Sequence, residues 1–296
     1  MEGNNIKDEI IASFKQGTTL TKLIYINLGV FVLVNLLLVG FKLFNSDTNW
    51  VGYLACPAQW EHFLRQPWSL ITYMFLHESF IHIFFNILTL YWMGRIFLEY
   101  ATQHTLVGLY ILGGIAGGIT FMLGINFFPL FSQHNFFYTL TGASASTMAI
   151  TVATAIFAPE RPIRLALIGE VRLKWLAIAL ILISLLGMGG ANAGGQMAHI
   201  GGALAGYVFA KQHQKGVDIT HWISQIIHRI VNFFNRIGSK PKMKGTTYQR
   251  RESDHDYNYR KKQENEEINR ILDKIKSSGY DSLNDDEKKR LFGNNQ

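Results

Sequence analysis

Long apolar stretches, interrupted by short polar segments, fill the first two thirds of the chain. A stretch of about 20 mainly apolar residues is long enough to cross the hydrocarbon core of a bilayer as a helix. The pattern therefore predicts an all-α membrane protein with six transmembrane helices. Their approximate limits are residues 22–43, 80–100, 102–121, 141–158, 173–188 and 196–210.

The segments between these helices differ in character. Residues 45–80 are rich in aromatic side chains that favour the membrane interface, which predicts a structured loop lying partly in the headgroup layer. Residues 125–139 form an apolar, aromatic loop, and residues 187–195 form a glycine-rich loop. Residues 1–20 fit a short surface helix and an unstructured cytoplasmic segment equally well.

The distribution of charge sets the expected topology. Only 17% of the residues are charged, and most of the 28 Lys and Arg residues lie beyond residue 213. Basic residues concentrate in the cytoplasmic loops of membrane proteins. If both termini are cytoplasmic, only Lys42 and Arg65 of the membrane region fall outside. The basic residues inside are then Lys7, Lys15, Lys22, Arg95, Arg161, Arg164, Arg172, Lys174 and Lys211.

Cysteine content and the N-terminal region narrow the class of protein further. The single cysteine, Cys56, excludes an intramolecular disulfide and a metal site built from cysteines. The first apolar run exceeds the hydrophobic part of a signal peptide and has no clear cleavage site, so we expect a retained anchor. No metal and no cofactor are predicted. The compact chain without organelle targeting signals favours the inner membrane of a bacterium.

The C-terminal region is predicted to be cytoplasmic and basic. Residues 214–238 carry apolar residues at helical spacing, which predicts an amphipathic helix on the inner leaflet, with docking on a protein as the alternative. Residues 238–262 predict a disordered tether attracted to anionic lipid; binding to nucleic acid is less favoured beside a membrane domain. Residues 264–277 and 282–292 predict two short helices, the second capped by Ser282 with Asp285.

This gives four predicted regions. They are an N-terminal segment (1–20), a six-helix membrane domain (21–213), an amphipathic helix (214–238) and a basic linker with a short helical tail (239–296).

Polar residues mark the starts of three of the predicted helices. Ser144 opens the fourth, with small residues on both sides, a pattern that alone is typical of close helix packing. His77 precedes the second helix, and His82 and Asn86 lie in its first turns. His199 lies near the start of the sixth.

The helical rise places four of these residues at a similar depth. At about 1.5 Å per residue, Ser144, His199, His82 and Asn86 lie about 22, 18, 25 and 20 Å above the cytoplasmic ends of their helices. All four fall in one layer of a hydrocarbon core about 30 Å thick. Strongly polar residues at this depth are costly, which favours a shared functional site.

A serine and a histidine in one layer are the parts of a nucleophilic enzyme. A serine hydroxyl becomes an effective nucleophile when a base accepts its proton. Ser144 is the candidate nucleophile and His199 the candidate general base and acid. Glu78 lies nearer the surface and Glu99 at the far end of its helix, so we predict a Ser–His dyad without a carboxylate.

The other polar residues suit the stabilisation of an oxyanion. His82, the Asn86 amide and the backbone N–H of Ser144 are candidate donors, and the N-terminal end of the fourth helix adds its positive dipole. His77, near the surface, is predicted to be structural. Residues 125–139 and 187–195 are candidates for a mobile cap over a water-filled pocket.

Four motifs follow one another along residues 20–213. They are Trp68, His77-x4-His82-x3-Asn86, Gly142-Ala143-Ser144 and Ala198-His199-x2-Gly202-x3-Gly206. In this order they resemble the rhomboid family of intramembrane serine proteases. The resemblance implies a six-helix bundle in which Ser144 attacks the scissile carbonyl and His199 is the base. It also implies that Gly202 and Gly206 let the sixth helix pack closely on the fourth.

Three positions differ from the pattern of that family. Ala145 stands where a glycine usually follows the serine, and Ser69 where an arginine usually follows the tryptophan. Met148 stands where an aromatic residue usually packs on the histidine, although its soft sulfur can also pack on an imidazole. These differences concern activity level and substrate choice more than mechanism.

The resemblance implies substrates that cross the membrane once and are cut near the outer boundary of the span, where small residues and helix breakers allow unwinding. The expected partners are therefore such substrates and the bilayer, with anionic lipid at the amphipathic helix and no nucleic acid. One alternative is a catalytically weak or inactive rhomboid-like protein that binds transmembrane helices. Another is a proton-coupled transporter, which the lack of a visible internal repeat disfavours.

Overall fold

The computed structural model describes residues 6–45, 50–132, 138–165, 169–190, 192–238 and 254–292. Within these ranges the helices are α1 (Ile6–Gln16), α2 (Thr19–Leu43), α3 (Trp60–Arg65), α4 (Ser69–Thr72), α5 (Phe80–Phe97), α6 (Gln103–Phe127), α7 (Pro129–Ser132), α8 (Ser144–Phe157), α9 (Leu173–Gly187), α10 (Ala193–His213), α11 (His221–Gly238), α12 (Asp254–Ser278) and α13 (Asp285–Phe292). Short 3₁₀ helices cover Trp50–Tyr53, Tyr73–Phe75 and Tyr280–Ser282. The strands are β1 (Cys56–Pro57), β2 (Thr139–Leu140), β3 (Pro162–Leu165) and β4 (Gly169–Arg172).

Several helices have the length and surface of membrane spans. Among the described residues, α2, α5 and α6 are long and apolar enough to cross a bilayer, and α8 and α9 are shorter apolar helices. Large apolar side chains face outward, such as Leu36 on α2 and Leu186 on α9, which are 66% and 85% exposed. Such a surface is unfavourable in water and suits hydrocarbon. The prediction of a mostly helical membrane protein is confirmed, and the count of six spans stays a prediction.

Some helix ends differ from those that the apolar pattern predicts. Helix α6 continues to Phe127, beyond the predicted end at residue 121, and α10 begins at Ala193 rather than residue 196. The side chain of Asn192 caps α10, its Oδ1 accepting a hydrogen bond from the N–H of Gly195 at 3.3 Å. A capping side chain therefore sets the start of α10 inside the glycine-rich segment.

Helix α8 is the central element of the membrane domain. It packs against α6 and α10, with α5 and α9 also in contact, and every residue from Ala145 to Ala155 is buried. Its side chains are mainly small, which lets neighbouring helices approach closely. Thr151 and Thr154 donate to backbone carbonyls of the preceding turn at 2.7 Å, so these hydroxyls are satisfied within α8.

Glycines on two neighbouring helices bring their backbones against α8. A Cβ atom added at Gly202 would lie 2.1 Å from the carbonyl oxygen of Ala145, and one at Gly206 would lie 2.2 Å from that of Ala149. A Cβ added at Gly117 of α6 would lie 2.4 Å from the Cβ of Ala145 and 3.0 Å from the carbonyl oxygen of Ala198 on α10. Helix α8 is therefore held at backbone contact distance from α10 and by close methyl contact with α6.

Two antiparallel strand pairs have no counterpart in the apolar pattern. In the first, Cys56 lies opposite Leu140 and Pro57 opposite Thr139, which joins the aromatic loop after α2 to the residues before α8. The second pair, β3 with β4, forms a hairpin between α8 and α9. Strands this short carry too few residues to show an alternation, so the sequence gives little signal of them.

Ion pairs lie near the C-terminal end of α8, the end that is far from Ser144. Arg161 pairs with Glu99, and Glu160 pairs with both Arg172 and Lys174. The Arg161 guanidinium lowers the pKa of the Glu99 carboxyl. Because both carboxylates are exposed, these pairs contribute little to stability. They do show that three basic residues assigned to the cytoplasm lie near one another.

Residues 239–296 form a separate unit of the chain. In its described part, Ile271 of α12 and the nearby Leu283 are buried, and Lys274 forms an ion pair with Glu287. Residues 254–262 belong to α12, so the predicted tether is wrong there; its residues 239–253 lie outside the described part.

The predicted cap of the last helix is also wrong. Helix α13 begins at Asp285, and its cap is Asn284, whose Oδ1 accepts from the N–H of Glu287 at 2.8 Å. The Glu287 carboxylate in turn accepts from the N–H of Asn284 at 2.8 Å. Ser282 lies three residues before the helix start, outside the N-cap position, and its hydroxyl donates to the carbonyl of Gly279.

Gly202→Ala should strongly destabilise the membrane domain. The added Cβ meets a backbone carbonyl, which cannot move without shifting α8, so we expect a loss of about 1–3 kcal/mol or more and a lower Tm in detergent. Gly29→Ala is the matched control on α2, where an added Cβ has no neighbour within 4 Å. It should leave stability unchanged or raise it by up to about 1 kcal/mol. Equal Tm values for both variants would contradict the close contact.

Candidate active site

The segment before α8 holds Ser144 at the helix start. The N–H of Gly142 donates to the carbonyl of Tyr73 at 2.9 Å, and the N–H of Ala143 donates to Nε2 of His77 at 3.4 Å. Gly142 has φ +113°, a conformation that side-chain-bearing residues rarely adopt. An added Cβ at this position would also lie 2.6 Å from the His82 ring. Glycine is therefore required both by the turn and by the neighbouring imidazole.

The contacts of His77 define its protonation. Because Nε2 accepts a hydrogen bond from the N–H of Ala143, it carries no proton. The proton of the neutral ring is then on Nδ1, which lies 3.3 Å from the carbonyl oxygen of Phe75. The ring also stands edge-on to that of His82, with 5.1 Å between centroids. This arrangement fits a structural role for His77.

Helix α5 supplies two further polar groups. Its first turn is capped by Ser79, whose hydroxyl accepts from the N–H of His82 at 3.2 Å. The Asn86 amide donates to the carbonyl of His82 at 2.9 Å, and its oxygen accepts from the hydroxyl of Thr147 at 3.4 Å. These bonds orient the Asn86 amide from both ends, and Thr147 connects it to α8.

Helix α10 supplies His199. Its Nδ1 lies 3.1 Å from the hydroxyl oxygen of Ser184 on α9, which leaves Nε2 as the ring nitrogen available to another group. In the described part of the chain, no hydrogen bond joins His199 to Ser144. The sequence alone does not single out Ser184, because it is one serine in an apolar run. Its depth along α9, calculated from the helical rise, is the signal that connects it with the layer of His199.

One cavity brings the candidate residues together. Its volume is about 670 Å³, and Ser144, His199, His82 and Asn86 all line it. Met148 also lines the cavity, together with the polar side chains Thr89, Thr147, Thr151 and Asn192. Residues from both predicted cap segments, Tyr138, Gly194 and Gly195, complete part of its wall. His77 and Gly142 are outside this lining and lie against the His82 ring, and Gly202 and Gly206 contact the backbone of α8.

The two glutamates considered in the sequence lie apart from this group. Glu78 is exposed at the edge of the cavity, where it accepts a hydrogen bond from the Thr141 hydroxyl at 2.9 Å. Glu99 lies beyond the other end of α5, paired with Arg161. Neither carboxylate contacts His199, so the partner of Nδ1 is a neutral hydroxyl.

The positions that differ from the family pattern now have defined surroundings. The Ala145 methyl group is buried against Gly117 of α6 and is not part of the cavity wall. For this reason the methyl group of Ala145 does not narrow the cavity.

Ser69 is buried next to Trp68, whose indole N–H donates to the carbonyl of Tyr53 at 2.9 Å.

Gly142→Ala should destabilise the protein more than backbone strain alone accounts for. Its strained φ costs about 1–2 kcal/mol, and the collision with His82 adds about 1–3 kcal/mol. Gly216→Ala is the matched control, with φ +81° and no neighbour within 4 Å of an added Cβ. Thermal unfolding in detergent measures both, and an equal fall in Tm would show that the His82 contact is absent.

Comparison with known families agrees with this geometry. A family model described as Rhomboid domain matches residues 64–212, and a Family of unknown function (DUF6576) matches residues 252–293. No curated protein matches the chain. The first match covers half of the chain and includes every residue that lines the cavity. The second includes α12 and α13. The chain therefore belongs to the rhomboid family.

Proposed function

We propose that the protein is an intramembrane serine endopeptidase that hydrolyses peptide bonds in or near the transmembrane segments of single-span membrane proteins. The observation that carries this proposal is the cavity of about 670 Å³ shared by Ser144, His199, His82 and Asn86. Three helices contribute these groups. Membership of the rhomboid family supports acyl transfer as the reaction in which they take part.

The proposed reaction begins with attack by Ser144. Its Oγ attacks the scissile carbonyl carbon while Nε2 of His199 accepts the hydroxyl proton. The resulting oxyanion is stabilised by the backbone N–H of Ser144 and by donors on His82 and Asn86. As the carbon–nitrogen bond breaks, His199 returns the proton to the leaving amine. Water, activated by His199, then hydrolyses the acyl-enzyme and restores Ser144.

The surroundings of the cavity suit this chemistry. Hydrolysis needs water, and threonine hydroxyls and Asn192 make the wall polar enough to hold it. Non-helical backbone within a membrane is tolerated where it lines such a cavity, as residues 138–141 and Asn192 do. The Ser144–His199 hydrogen bond would form in the substrate complex, since such bonds are often long in the free enzyme.

The proposed placement is a six-span protein of a bacterial inner membrane with both termini in the cytoplasm. The cluster of Arg161, Arg172 and Lys174 supports this orientation, because basic residues favour the cytoplasmic side. Ser144 then lies in the outer half of the membrane, at the opposite end of α8. Cleavage is accordingly proposed near the outer boundary of the substrate helix, where small residues and helix breakers favour unwinding.

The alternative is a catalytically weak or inactive family member that binds transmembrane helices. The observation in its favour is that no hydrogen bond joins Ser144 to His199 in the described structure. Such a protein would use the cavity for binding and would not need the Ser144 hydroxyl.

Ser144→Ala and His199→Ala should each abolish cleavage of a fluorogenic transmembrane peptide by the purified protein. Removing either member of the dyad is expected to lower kcat by at least about 10³-fold. Cleavage by the parent protein should also fall in acid, since protonated His199 cannot accept a proton. Ser146→Ala is the control, because Ser146 is fully buried two residues further along α8 and its hydroxyl has no hydrogen-bond partner.

Labelling with a fluorophosphonate separates the two proposed functions. A protein that is labelled on Ser144 but cleaves no peptide has a competent nucleophile and requires a different substrate sequence. A parent protein that neither cleaves nor is labelled would contradict the protease proposal and favour the helix-binding one.

Helix α11 is proposed to contact anionic lipid. Its start is fixed to α6, with Thr220 and Ile223 buried and the Ser224 hydroxyl 3.5 Å from the carbonyl of His104. On other faces Trp222, Ile226, Ile230 and Phe233 remain exposed. Exposed apolar groups on a basic helix beside a membrane domain suit insertion into the headgroup region.

Lipid with brominated acyl chains should quench Trp222 more strongly when its headgroups are anionic than when they are zwitterionic. The fluorescence of Trp222 is obtained by subtracting the emission of the Trp222→Phe protein from that of the parent protein, both in nanodiscs. Trp60→Phe is the control, because Trp60 is exposed on α3, away from the basic cluster of Arg161, Arg172 and Lys174, and its quenching should not depend on headgroup charge. Equal quenching of Trp222 in both lipids would favour docking of α11 on a protein.

A further inference from the structure

Ser184 is a buried polar residue within the apolar helix α9. Only 1% of its surface is exposed, and its hydroxyl oxygen lies 3.1 Å from Nδ1 of His199 on α10. An unsatisfied hydroxyl inside a membrane domain is costly, so the identity of its partner is informative.

The choice of partner is unusual for a hydroxyl in a helix. Such groups commonly bond to the carbonyl of the preceding turn. Thr120, Thr151 and Thr154 do so, at 2.7–2.8 Å. Ser184 does not: within the described residues, its hydrogen bond crosses to His199 on the neighbouring helix. The interaction is therefore not the default conformation of a helical serine.

Depth agrees with this pairing. Ser184 lies about 16 Å along α9 from Leu173, and His199 lies about 18 Å along α10 from Lys211. A fourth helix thus contributes a polar side chain to the layer that contains Ser144, His82 and Asn86. The hydroxyl itself is behind the imidazole, outside the cavity wall.

The chemistry of His199 decides which atom donates. To accept the proton of Ser144, Nε2 must be unprotonated, so the neutral ring must carry its proton on Nδ1. That N–H then donates to the Ser184 oxygen. When Nε2 takes up the proton of Ser144, the same bond becomes charge-assisted and stabilises the imidazolium. In Ser-His-Asp triads a carboxylate accepts the hydrogen bond from the histidine Nδ1–H. The Ser184 hydroxyl accepts the same bond without burying a second charge.

We propose that Ser184 is a positioning residue of the reaction, accepting a hydrogen bond from Nδ1–H of His199 and thereby presenting an unprotonated Nε2 to Ser144. This rests on the proposed protease function. Ser184 contacts neither substrate nor the reacting atoms, and acts only through the orientation and tautomer of His199.

Ser184→Ala should lower kcat for the fluorogenic peptide roughly 10-fold to 100-fold, the effect of losing a hydrogen bond to a group that becomes charged. KM should stay unchanged, because the cavity wall keeps its shape. Ser146→Ala is the matched control: it removes an equally buried serine hydroxyl that has no partner, and should retain the kcat of the parent protein.

A second pair of variants separates the hydrogen bond from packing. Ser184→Thr keeps the hydroxyl, and Ser184→Val has nearly the same shape without it. If the bond matters, Ser184→Thr retains a kcat at least about 10-fold above that of Ser184→Val. If both lose activity because the added methyl group does not fit, the Ser184→Ala and Ser146→Ala comparison still decides.

The possible results are distinct. A Ser184→Ala protein with the kcat of the parent overturns the inference, and so does one with a raised kcat, which would mean that the hydroxyl donates to Nδ1 and holds the wrong tautomer. Equal loss in Ser184→Ala and Ser146→Ala also overturns it, because the effect would then be general destabilisation. A parent protein that neither cleaves nor reacts with fluorophosphonate refutes the protease function, and the inference with it.

Discussion

Backbone contact between α8 and α10 is the constraint on which the rest of the structure depends. Gly202 lies against Ala145 and Gly206 against Ala149, so the two helices run in parallel and share one register. One turn before Gly202 on the same face of α10 is His199. The register that places the glycines against the alanines therefore also brings the histidine to the start of α8, where Ser144 is. Any larger side chain at these glycines would separate the helices and, with them, the two groups.

The apolar pattern and the motifs predict much of this arrangement, but not the direction in which each side chain points. Helical rise gives the depth of Ser144 and His199, and therefore one layer, because rise is the same in every helix. It does not give the rotation of a helix about its axis, so Ser184 on α9 was not connected to His199. The strand pairs and the Asn284 cap were missed for another reason: each depends on one or two local hydrogen bonds that leave no periodic pattern.

Ala145 illustrates how a substitution at a motif is decided by its surroundings. Ala145 directly follows Ser144 in the chain, so the sequence alone suggests that its methyl group lies at the reaction site. In the structure its methyl group points away from the cavity, into space left free by Gly117 on α6. The extra volume is accommodated by a glycine on another helix and not by the cavity. Met148 is different, because its side chain is part of the cavity wall and contributes to the shape that a substrate meets.

The segment before Ser144 is fastened to a distant part of the chain, and this has a consequence for assembly. Strand β2 pairs with β1, and the N–H of Ala143 bonds to His77, a residue 66 positions earlier. Contacts at such separation form only after much of the intervening chain has taken its place. We therefore expect the segment that carries Ser144, the proposed nucleophile, to reach its position late in folding. Helices that have entered the membrane but not yet packed together would carry Ser144 without its supports, so the proposed hydrolysis would begin only once the membrane domain is native.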